Sequence, residues 1–220
     1  MNNNKSLFLK RIALRALNNC PVVQDPKNIA YHEEDCQFRD VECPKDFCKD
    51  FIPQSTLGQH LISHAKVYAT AKKCLNGIAL VTPQFTKDVF DAECDYRWLL
   101  GPIDFNGKSF LVQVNHDHVL RHVCFWVQMI GSKFEAKNFK YKIQLQENDE
   151  YGSPTYKGPV KSLDDSKTKV FKSKIGLNVP SKIIKKYLKD DSLTLQVKFK
   201  DLKPKDDEDD QDSMASNDGD

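Results

Sequence analysis

The chain has 220 residues, 40% of them hydrophobic and 29% charged, which is typical of a soluble globular protein with one ordinary core and a small satellite domain. It contains no run of about eighteen apolar residues, so we expect no transmembrane helix and no membrane partner. The net charge of +2 is unevenly spread, because residues 203–220 carry eight acids and two lysines, a net −6, and the remaining body therefore carries +8.

Residues 1–17 are predicted to form a basic amphipathic helix. The first 24 residues contain four basic side chains and no acidic one, with leucines and an isoleucine interleaved. A mitochondrial transit peptide has a similar composition, but this segment is poor in serine and runs directly into a metal-ligand pattern. We therefore interpret it as a helix that leads into the first domain.

The seven cysteines are spread unevenly, and four of them lie in the first quarter of the chain, close to histidines. An odd number with this clustering favours metal-bound thiolates in a reducing compartment over a disulfide framework. The four are Cys20, Cys36, Cys43 and Cys48. We therefore expect a zinc-binding protein of the cytoplasm or nucleus, with its metal ligands between residues 18 and 66.

The strongest motif is Cys43-x4-Cys48-x11-His60-x3-His64. Zinc prefers four thiolate or imidazole ligands in a tetrahedron, and this spacing supplies them from two adjacent elements. A turn is predicted to carry the cysteines, and a helix places the two histidines one turn apart on one face. The motif predicts a zinc site.

The helix of this motif is predicted to begin near Ser55 or Thr56, either of which can cap it. Leu57 and Leu61 lie on an adjoining stripe and are expected to form a very small core. Because so small a unit buries little apolar area, zinc should supply much of its folding free energy.

A second, incomplete site is indicated by His32-x3-Cys36, with Cys20 twelve positions before His32. That interval equals the one between Cys48 and His60, so Cys20 corresponds to a second cysteine. The residues expected to hold the first cysteine contain none. This finger therefore has three visible ligands, and whether it binds zinc is left open.

Residues 75–202 have the pattern of an antiparallel β-sandwich. Residues 139–146 and 193–200 alternate apolar and polar side chains, as strands with one buried face do. Residues 110–114 and 123–130 are denser apolar runs, which indicates more deeply buried strands. One late helix is predicted, with Ser181 as its cap. Many short strands and a single late helix favour a sandwich.

No catalytic constellation is apparent, since the chain has neither a glycine-rich phosphate loop nor a Gly-x-Ser-x-Gly motif. A histidine cluster between two strands is expected to be solvated, and the remaining cysteines are expected to be small buried hydrophobes. These residues are His116, His118 and His122, and Cys74, Cys94 and Cys124.

The acidic segment at residues 203–220 contains no aromatic residue. It cannot bury enough apolar surface to offset the entropy of ordering, so we expect it to be disordered. A solvating role is the simpler interpretation, and an interaction role is the alternative.

Two stretches of the sequence resemble the seven-in-absentia family of ubiquitin ligases. Residues 127–141 are similar to a strand–turn–strand motif of that family, and the finger residues are similar to its paired zinc fingers. The finger residues are His32-Glu-Glu-Asp-Cys36-Gln-Phe-Arg39, Glu42-Cys43-Pro44 and the pair His60 and His64. The resemblance extends from about residue 18 to residue 202.

The resemblance implies a TRAF-like antiparallel β-sandwich preceded by two small zinc fingers. It also implies a homodimer that holds degradation substrates, with an extended degron peptide added to a sheet edge. Trp98 and Leu100 stand roughly where the family places groove-lining side chains. A structural position in the core is the competing interpretation for this tryptophan.

The family's ligases also carry a RING domain, which needs about eight Cys or His ligands for two zinc ions. Nineteen residues precede Cys20, and none is Cys or His, so we expect no RING here and no catalysis by this chain alone. The expected role is a substrate-recognition adaptor, with a RING-containing ligase or a ubiquitin-conjugating enzyme complex as partner. Whether a longer form supplies a RING is left open.

Two other functions compete with this interpretation. A TRAF-type signalling adaptor would share the sandwich, although the chain lacks the heptad run of a coiled coil. A nucleic-acid-binding zinc finger would use similar ligand spacing. However, residues 43–64 balance two lysines against two aspartates and present no basic stripe for phosphates, so we expect no nucleic-acid partner.

Overall fold

The computed structural model of the protein describes residues 20–22, 32–33, 36–45, 47–64, 74–146, 150–165, 170, 173 and 175–202. The predicted helix at residues 1–17 and the acidic segment at residues 203–220 lie outside these residues. Within the described part the chain is mainly β, and its longer strands form two sheets that share one core. The predicted fold class, an antiparallel sandwich preceded by two small Cys/His units, is confirmed.

The first sheet has the strand order β10–β6–β5–β4. Its long strands pair antiparallel, with one irregularity between Leu100 and Ile103, and the two-residue strand β9 pairs in parallel with β6. The strands are β4 (Tyr96–Phe105), β5 (Lys108–Asp117), β6 (His122–Met129), β9 (Lys161–Ser162) and β10 (Leu177–Pro180). The two apolar runs of the sequence form the central strands β5 and β6, as predicted.

The second sheet has the order β3–β11–β7–β8, and all of its pairs are antiparallel. Its strands are β3 (Ile78–Val81), β7 (Phe139–Leu145), β8 (Thr155–Pro159) and β11 (Leu195–Asp201). The two alternating segments of the sequence are β7 and β11, which lie side by side at the centre of this sheet. Their inward residues are buried and their outward residues are polar, as a sheet with one solvated face requires.

The core between the sheets is rich in phenylalanine. The ring of Phe110 on β5 lies 4.6 Å from that of Phe199 on β11 and 5.2 Å from that of Phe139 on β7. Pairs of this kind contribute about 0.5–1.5 kcal/mol each beyond the area that they bury. The three rings therefore join the two sheets at one end of the sandwich.

The strand β5 is buried on both faces over most of its length. One face joins the sandwich core through Phe110, Val112 and Val114, and Leu111 points to the opposite side. A strand of a two-layer sandwich normally keeps one face in water. A further element must therefore cover the outer face of the first sheet.

Short helices connect the strands of the sandwich. The helix α2 (Lys133–Ala136) begins with a capping box of Ser132 and Glu135, and a 3₁₀ helix spans Lys87–Phe90. The helix α3 (Ser181–Tyr187) buries Ile184 and Tyr187. No helix in the described residues is long and apolar enough to cross a membrane.

The predicted capping role of Ser181 is wrong. Pro180 occupies the capping position, and Ser181 is the first residue of α3, with its hydroxyl buried. Its backbone N–H donates to the carbonyl of Arg121, in the turn before β6, at 2.8 Å. The preceding proline belongs to β10, so the strand continues directly into the helix without room for a cap.

A small unit precedes the sandwich. It consists of the hairpin β1 (Asp40–Glu42) and β2 (Phe51–Pro53), followed by the helix α1 (Leu57–His64). The turn between the strands contains the two cysteines of the main motif, and α1 contains its two histidines. This ββα arrangement places the predicted ligands on two adjacent elements.

Candidate metal centres and recognition edge

The four residues of the main motif converge on one point. Cys43, Cys48, His60 and His64 each offer one ligand atom, and these atoms all lie within 4.8 Å of one another. The Cys48 Sγ is 3.5 Å from the His60 Nε2, which is 2.9 Å from the His64 Nε2. The structure therefore brings together the four side chains that the spacing selected.

Backbone hydrogen bonds shape the cysteine turn. The N–H of Cys43 donates to the carbonyl of Asp50 at 2.9 Å, and the N–H of Cys48 donates to the carbonyl of Lys45 at 3.1 Å. Both thiols are buried, while the imidazoles of His60 and His64 are half-buried. The edge of the Phe47 ring faces His64, with the ring centres 5.6 Å apart. The donor atoms thus converge at a point where the two cysteine side chains are shielded from water.

The donor set fits zinc. With Zn–S near 2.3 Å and Zn–N near 2.05 Å, a tetrahedral ion holds its donors about 3.3–3.8 Å apart. The sulfur–nitrogen separation of 3.5 Å lies inside this interval, and the nitrogen–nitrogen separation of 2.9 Å is slightly short of it. Two thiolates and two imidazoles form a closed set, which is typical of structural rather than catalytic zinc.

The second cluster has three members. The Cys20 Sγ lies 3.2 Å from the His32 Nε2 and 3.6 Å from the Cys36 Sγ, and the three ligand atoms are mutually within 4.8 Å. Among the described residues, no Cys, His, Asp or Glu supplies a fourth donor. The described part of the chain therefore brings together the three ligands that the spacing selected for this site.

The two clusters are joined by the backbone around Arg39. The N–H of Gln54 donates to the carbonyl of Arg39 at 2.9 Å, and the N–H of Ser55 donates to the carbonyl of Gln37 at 2.8 Å. These bonds extend the β1–β2 ladder up to the beginning of α1. The segment that carries Cys36 is thereby fixed to the unit that carries the main cluster.

The helix α1 packs on the outer face of the first sheet. Its buried Leu57 and Leu61 form one cluster with Leu99, Leu111 and Ile130 of the sandwich. The expected separate core of the finger is therefore part of a larger interface. The finger supplies this cover around Leu111, whereas Cys124 and Trp126, on the same outer face, pack with Val170.

Two polar contacts reinforce this interface. The Arg39 guanidinium donates to the Gln54 Oε1 at 2.8 and 2.9 Å and forms an ion pair with Asp164, in the turn after β9. The buried Lys45 Nζ donates to the carbonyl of Leu99 at 3.4 Å. Sequence reasoning missed these partners, because long-range partners of single charged residues leave no periodic signal.

The residues predicted to line a peptide groove differ in accessibility. Leu100 is fully buried in the sandwich core, so it offers no surface to a peptide. Trp98 is half-buried, with its ring 4.8 Å from that of Phe85 and stacked on exposed Tyr96 at 5.6 Å.

The strand β4 forms one edge of the first sheet. Within the described residues it pairs only with β5, so the backbone groups along its other side have no strand partner. Such an edge is the structural element to which an extended peptide can add. Tyr96 and Trp98 flank it, whereas Leu100 does not contribute.

The histidine cluster between β5 and β6 does not converge. His118 Nδ1 lies 2.8 Å from Asp95 Oδ1, and His122 Nδ1 lies 2.6 Å from the carbonyl of Leu120. His116, expected to be solvated, is instead fully buried on the inner side of β5. The prediction was wrong for His116 because β5 continues through Asp117 instead of ending before the cluster.

The three remaining cysteines have different environments. Cys124 is buried, and burial raises the pKa of its thiol to about 12, which keeps it protonated at neutral pH. Cys74 is half-buried, and its pKa is also raised by desolvation. Cys94 is exposed, so the prediction of a buried side chain was wrong there. All seven cysteines lie in the described residues, and none is in a disulfide.

Comparison with known families gives a match within the sandwich. Residues 103–198 match the family model described as Sina, TRAF-like domain. The matched segment runs from the end of β4 into β11, so the sandwich is similar to a Sina-type TRAF-like domain over these residues. Both Cys/His clusters and the edge residues Tyr96 and Trp98 lie before the match. A comparison with curated proteins found no match to the chain.

Proposed function

We propose that this protein is a zinc-binding substrate-recognition adaptor of ubiquitin-dependent protein degradation. The Sina-type TRAF-like domain supports a role in substrate binding or as an adaptor. In this proposal the open edge of β4 captures an extended degron peptide, and the metal centres hold the finger unit on the sandwich. The protein acts as a homodimer and depends on a RING-containing ligase or a ubiquitin-conjugating enzyme complex for ubiquitin transfer.

The observation that carries the proposal is the edge position of β4 in a sandwich of this family. Backbone hydrogen bonds along an open edge supply affinity for any extended peptide, and nearby side chains supply selectivity. Exposed Tyr96 and half-buried Trp98 provide aromatic surface at this edge, and aromatic residues are frequent anchors of peptide interfaces. The main peptide contact is therefore assigned to the part of β4 before its irregularity.

A TRAF-type signalling adaptor is the second candidate, because the same TRAF-like fold supports it. It would use the same edge for receptor tails in place of degrons. The two candidates differ in the consequence of binding, since only a degradation adaptor increases ubiquitin transfer to the bound protein.

Peptide capture is tested with the zinc-loaded full chain and a display library of random peptides. Selected peptides are measured by fluorescence polarisation against wild type, Tyr96→Ala and Trp98→Ala, with Phe134→Ala as control. Phe134 is an exposed aromatic residue on α2, outside the β4 edge. We expect the two edge variants to weaken binding about tenfold or more, as for truncated aromatic anchors, and the control to leave it unchanged.

The mode of binding is tested with the peptides themselves. N-methylation at alternate positions removes the N–H groups that sheet addition requires, and one of the two alternating sets should abolish binding. Selected peptides that are insensitive to both N-methylation and Trp98→Ala would contradict capture at β4. Ubiquitin transfer to a fused peptide, measured with a Sina-family RING ligase present and absent, then separates the degradation adaptor from the signalling adaptor.

Metal content is tested by native mass spectrometry of the full chain before and after chelation. Two zinc ions per chain would mean that both clusters bind metal, and one would assign the metal to the four-ligand cluster. The same spectra report whether the protein is a dimer. A folded chain without zinc would contradict the metal part of the proposal and leave peptide capture to be judged separately.

A further inference from the structure

The outward face of the second sheet carries an unusual concentration of positive charge. We call the lysine face the five residues Lys140 and Lys142 on β7, Lys157 on β8, and Lys198 and Lys200 on β11. Four of them are exposed and Lys142 is half-buried. Each alternates along its strand with side chains of the opposite face, so all five point away from the core.

The strand register places these lysines directly opposite one another. Lys198 pairs with Lys142, which in turn pairs with Lys157, so that one row of three lysines crosses three strands. Lys200 pairs with Lys140 in a second row. Directly opposed residues have Cα atoms about 4.5–5.5 Å apart, and like charges in such positions destabilise a sheet.

No counter-charge for this face is found among the described residues. The other outward positions of these four strands carry apolar side chains, glutamine, threonine or proline. None of the five lysines is in an ion pair in the part of the chain that the structure describes. Asp201 does not serve this purpose, since it alternates with Lys200 and accepts from the Asn106 amide at 3.3 Å.

The sequence supplies the missing charge immediately after the last strand. The N–H of Leu202 donates to the carbonyl of Asn138 at 2.8 Å, so the chain leaves the sheet beside Lys140 and Lys200. Residues 203–220 follow, with eight acids and two lysines. The first acid is Asp206, four residues after Leu202.

The distances allow these acids to reach all five lysines. The farthest lysine is Lys157 on β8. With a rise of about 3.4 Å per residue and a spacing of about 4.8 Å between strands, it lies about 17 Å from Leu202. An extended chain spans about 3.4 Å per residue, so the acids from Asp206 to Asp210 have a reach of about 14–27 Å.

We propose that the acidic segment, residues 203–220, binds the lysine face of the same chain and thereby competes with external polyanions for it. The inference does not depend on zinc binding or on a role in protein degradation. Each exposed ammonium–carboxylate pair contributes little, but a directly tethered segment has a millimolar effective concentration. The binding weakens with salt, because the Debye length falls from about 10 Å at 0.1 M to about 3 Å at 1 M.

The proposal is tested by lysine acetylation followed residue by residue with mass spectrometry. Wild type is compared, as the full chain at low salt, with a variant in which each acid of the segment is replaced by its amide. The replaced acids are Asp206, Asp207, Glu208, Asp209, Asp210, Asp212, Asp218 and Asp220. Four control lysines in the same molecules are exposed and lie outside the ion pairs of the described residues: Lys49, Lys87, Lys182 and Lys189.

We expect the lysine face to be acetylated about two- to fivefold faster in the amide variant than in wild type. A rate ratio of this size corresponds to the free energy of a few exposed ion pairs. The control lysines should change little, and the difference should vanish in 1 M NaCl. An equal change at both sets of lysines, or none at the lysine face, would overturn the proposal. Protection that grows with protein concentration would also overturn it, because the segment would then act between chains.

Binding of a short polyglutamate peptide provides a second measurement. The amide variant should bind this peptide more tightly than wild type, since its lysine face is uncovered. Replacing all five face lysines by glutamine in the amide variant should remove that binding, whereas replacing the four control lysines should not. Equal affinity of wild type and the amide variant for polyglutamate would show that the segment does not occupy the face.

Discussion

The side chain of His116 places a titratable ring inside the sandwich. Both ring nitrogens are buried and have no hydrogen-bond partner among the described residues. The imidazole faces the edge of Phe90 at a ring distance of 5.9 Å. Desolvation lowers the pKa of His116, and nearby Asp95 and Asp117 only partly oppose this effect. The neutral ring is therefore the form compatible with the fold.

This position predicts a pH-dependent loss of stability that His116→Leu should remove. The unfolded chain has an ordinary histidine pKa near 6.5, above the folded value, so below about pH 6.5 the unfolded state binds more protons. Relative to the variant, wild type should lose up to about 1.4 kcal/mol of unfolding free energy per pH unit as the pH falls through this window. Above about pH 7 the difference between the two proteins should be constant.

Urea unfolding from pH 7.5 to 5.5 measures this difference. His118→Leu serves as control, because that side chain is substantially exposed and interacts with Asp95 near the surface. Identical pH profiles for wild type and His116→Leu would mean that the ring does not change its proton affinity on folding.

At the scale of elements, the interface between α1 and the first sheet determines how the finger is held. Leu111 faces the finger, while its neighbour Val112 faces the sandwich core. The two residues are adjacent on β5, and both are fully buried. Replacing each of them in turn by alanine therefore tests the two faces of one strand separately.

Leu111→Ala should loosen α1 selectively, whereas Val112→Ala should not. Cavity-forming substitutions of a buried leucine cost about 2–5 kcal/mol, and this one opens a cavity in the cluster that joins α1 to the sandwich. Hydrogen–deuterium exchange should become faster in peptides from α1 while β7 remains protected. In Val112→Ala, any acceleration should instead involve both sheets. Unchanged exchange of α1 in Leu111→Ala would mean that the finger is held by other contacts.

The elements show where sequence reasoning succeeds and where it fails. The alternation in β7 and β11 was sufficient to predict those strands and the side that each buries, since a period of two follows from strand geometry. The motif spacing likewise selected four side chains that converge. The apolar run of residues 123–130 indicated a deeply buried strand. That run carried no information on what covers the outer face of the strand, because the packing of another element depends on residues far apart in the sequence.

The burial of Leu100 illustrates the same limit on a single strand. A leucine two residues after Trp98 was compatible with a position either in a peptide groove or in the core. The choice depends on the irregularity between Leu100 and Ile103 and on the packing of the second sheet, neither of which leaves a local pattern. The sequence therefore singled out Trp98 and Leu100 but did not show which of the two is accessible.

At the scale of the whole molecule, the apolar cluster that the finger shares with the sandwich links the proposed zinc to the stability of the sandwich. Cys43 and Cys48 belong to the same apolar cluster as Leu111 and Ile130. If zinc holds the finger in its folded form, its removal also uncovers the outer face of the first sheet. A ligand that binds only the folded state stabilises the whole cooperative unit.

Chelation should therefore lower the unfolding temperature of the sandwich, and Cys43→Ser should lower it and reduce the further response to the chelator. For a chain of this length each kcal/mol corresponds to about 2–4 °C, so we expect a decrease of several degrees. The fluorescence of the two tryptophans reports on the sandwich, since Trp98 and Trp126 both lie in the first sheet. Cys94→Ser, at an exposed thiol outside both clusters, should behave as wild type. If zinc is lost on chelation while the tryptophan transition stays in place, the finger and the sandwich unfold independently despite their shared interface.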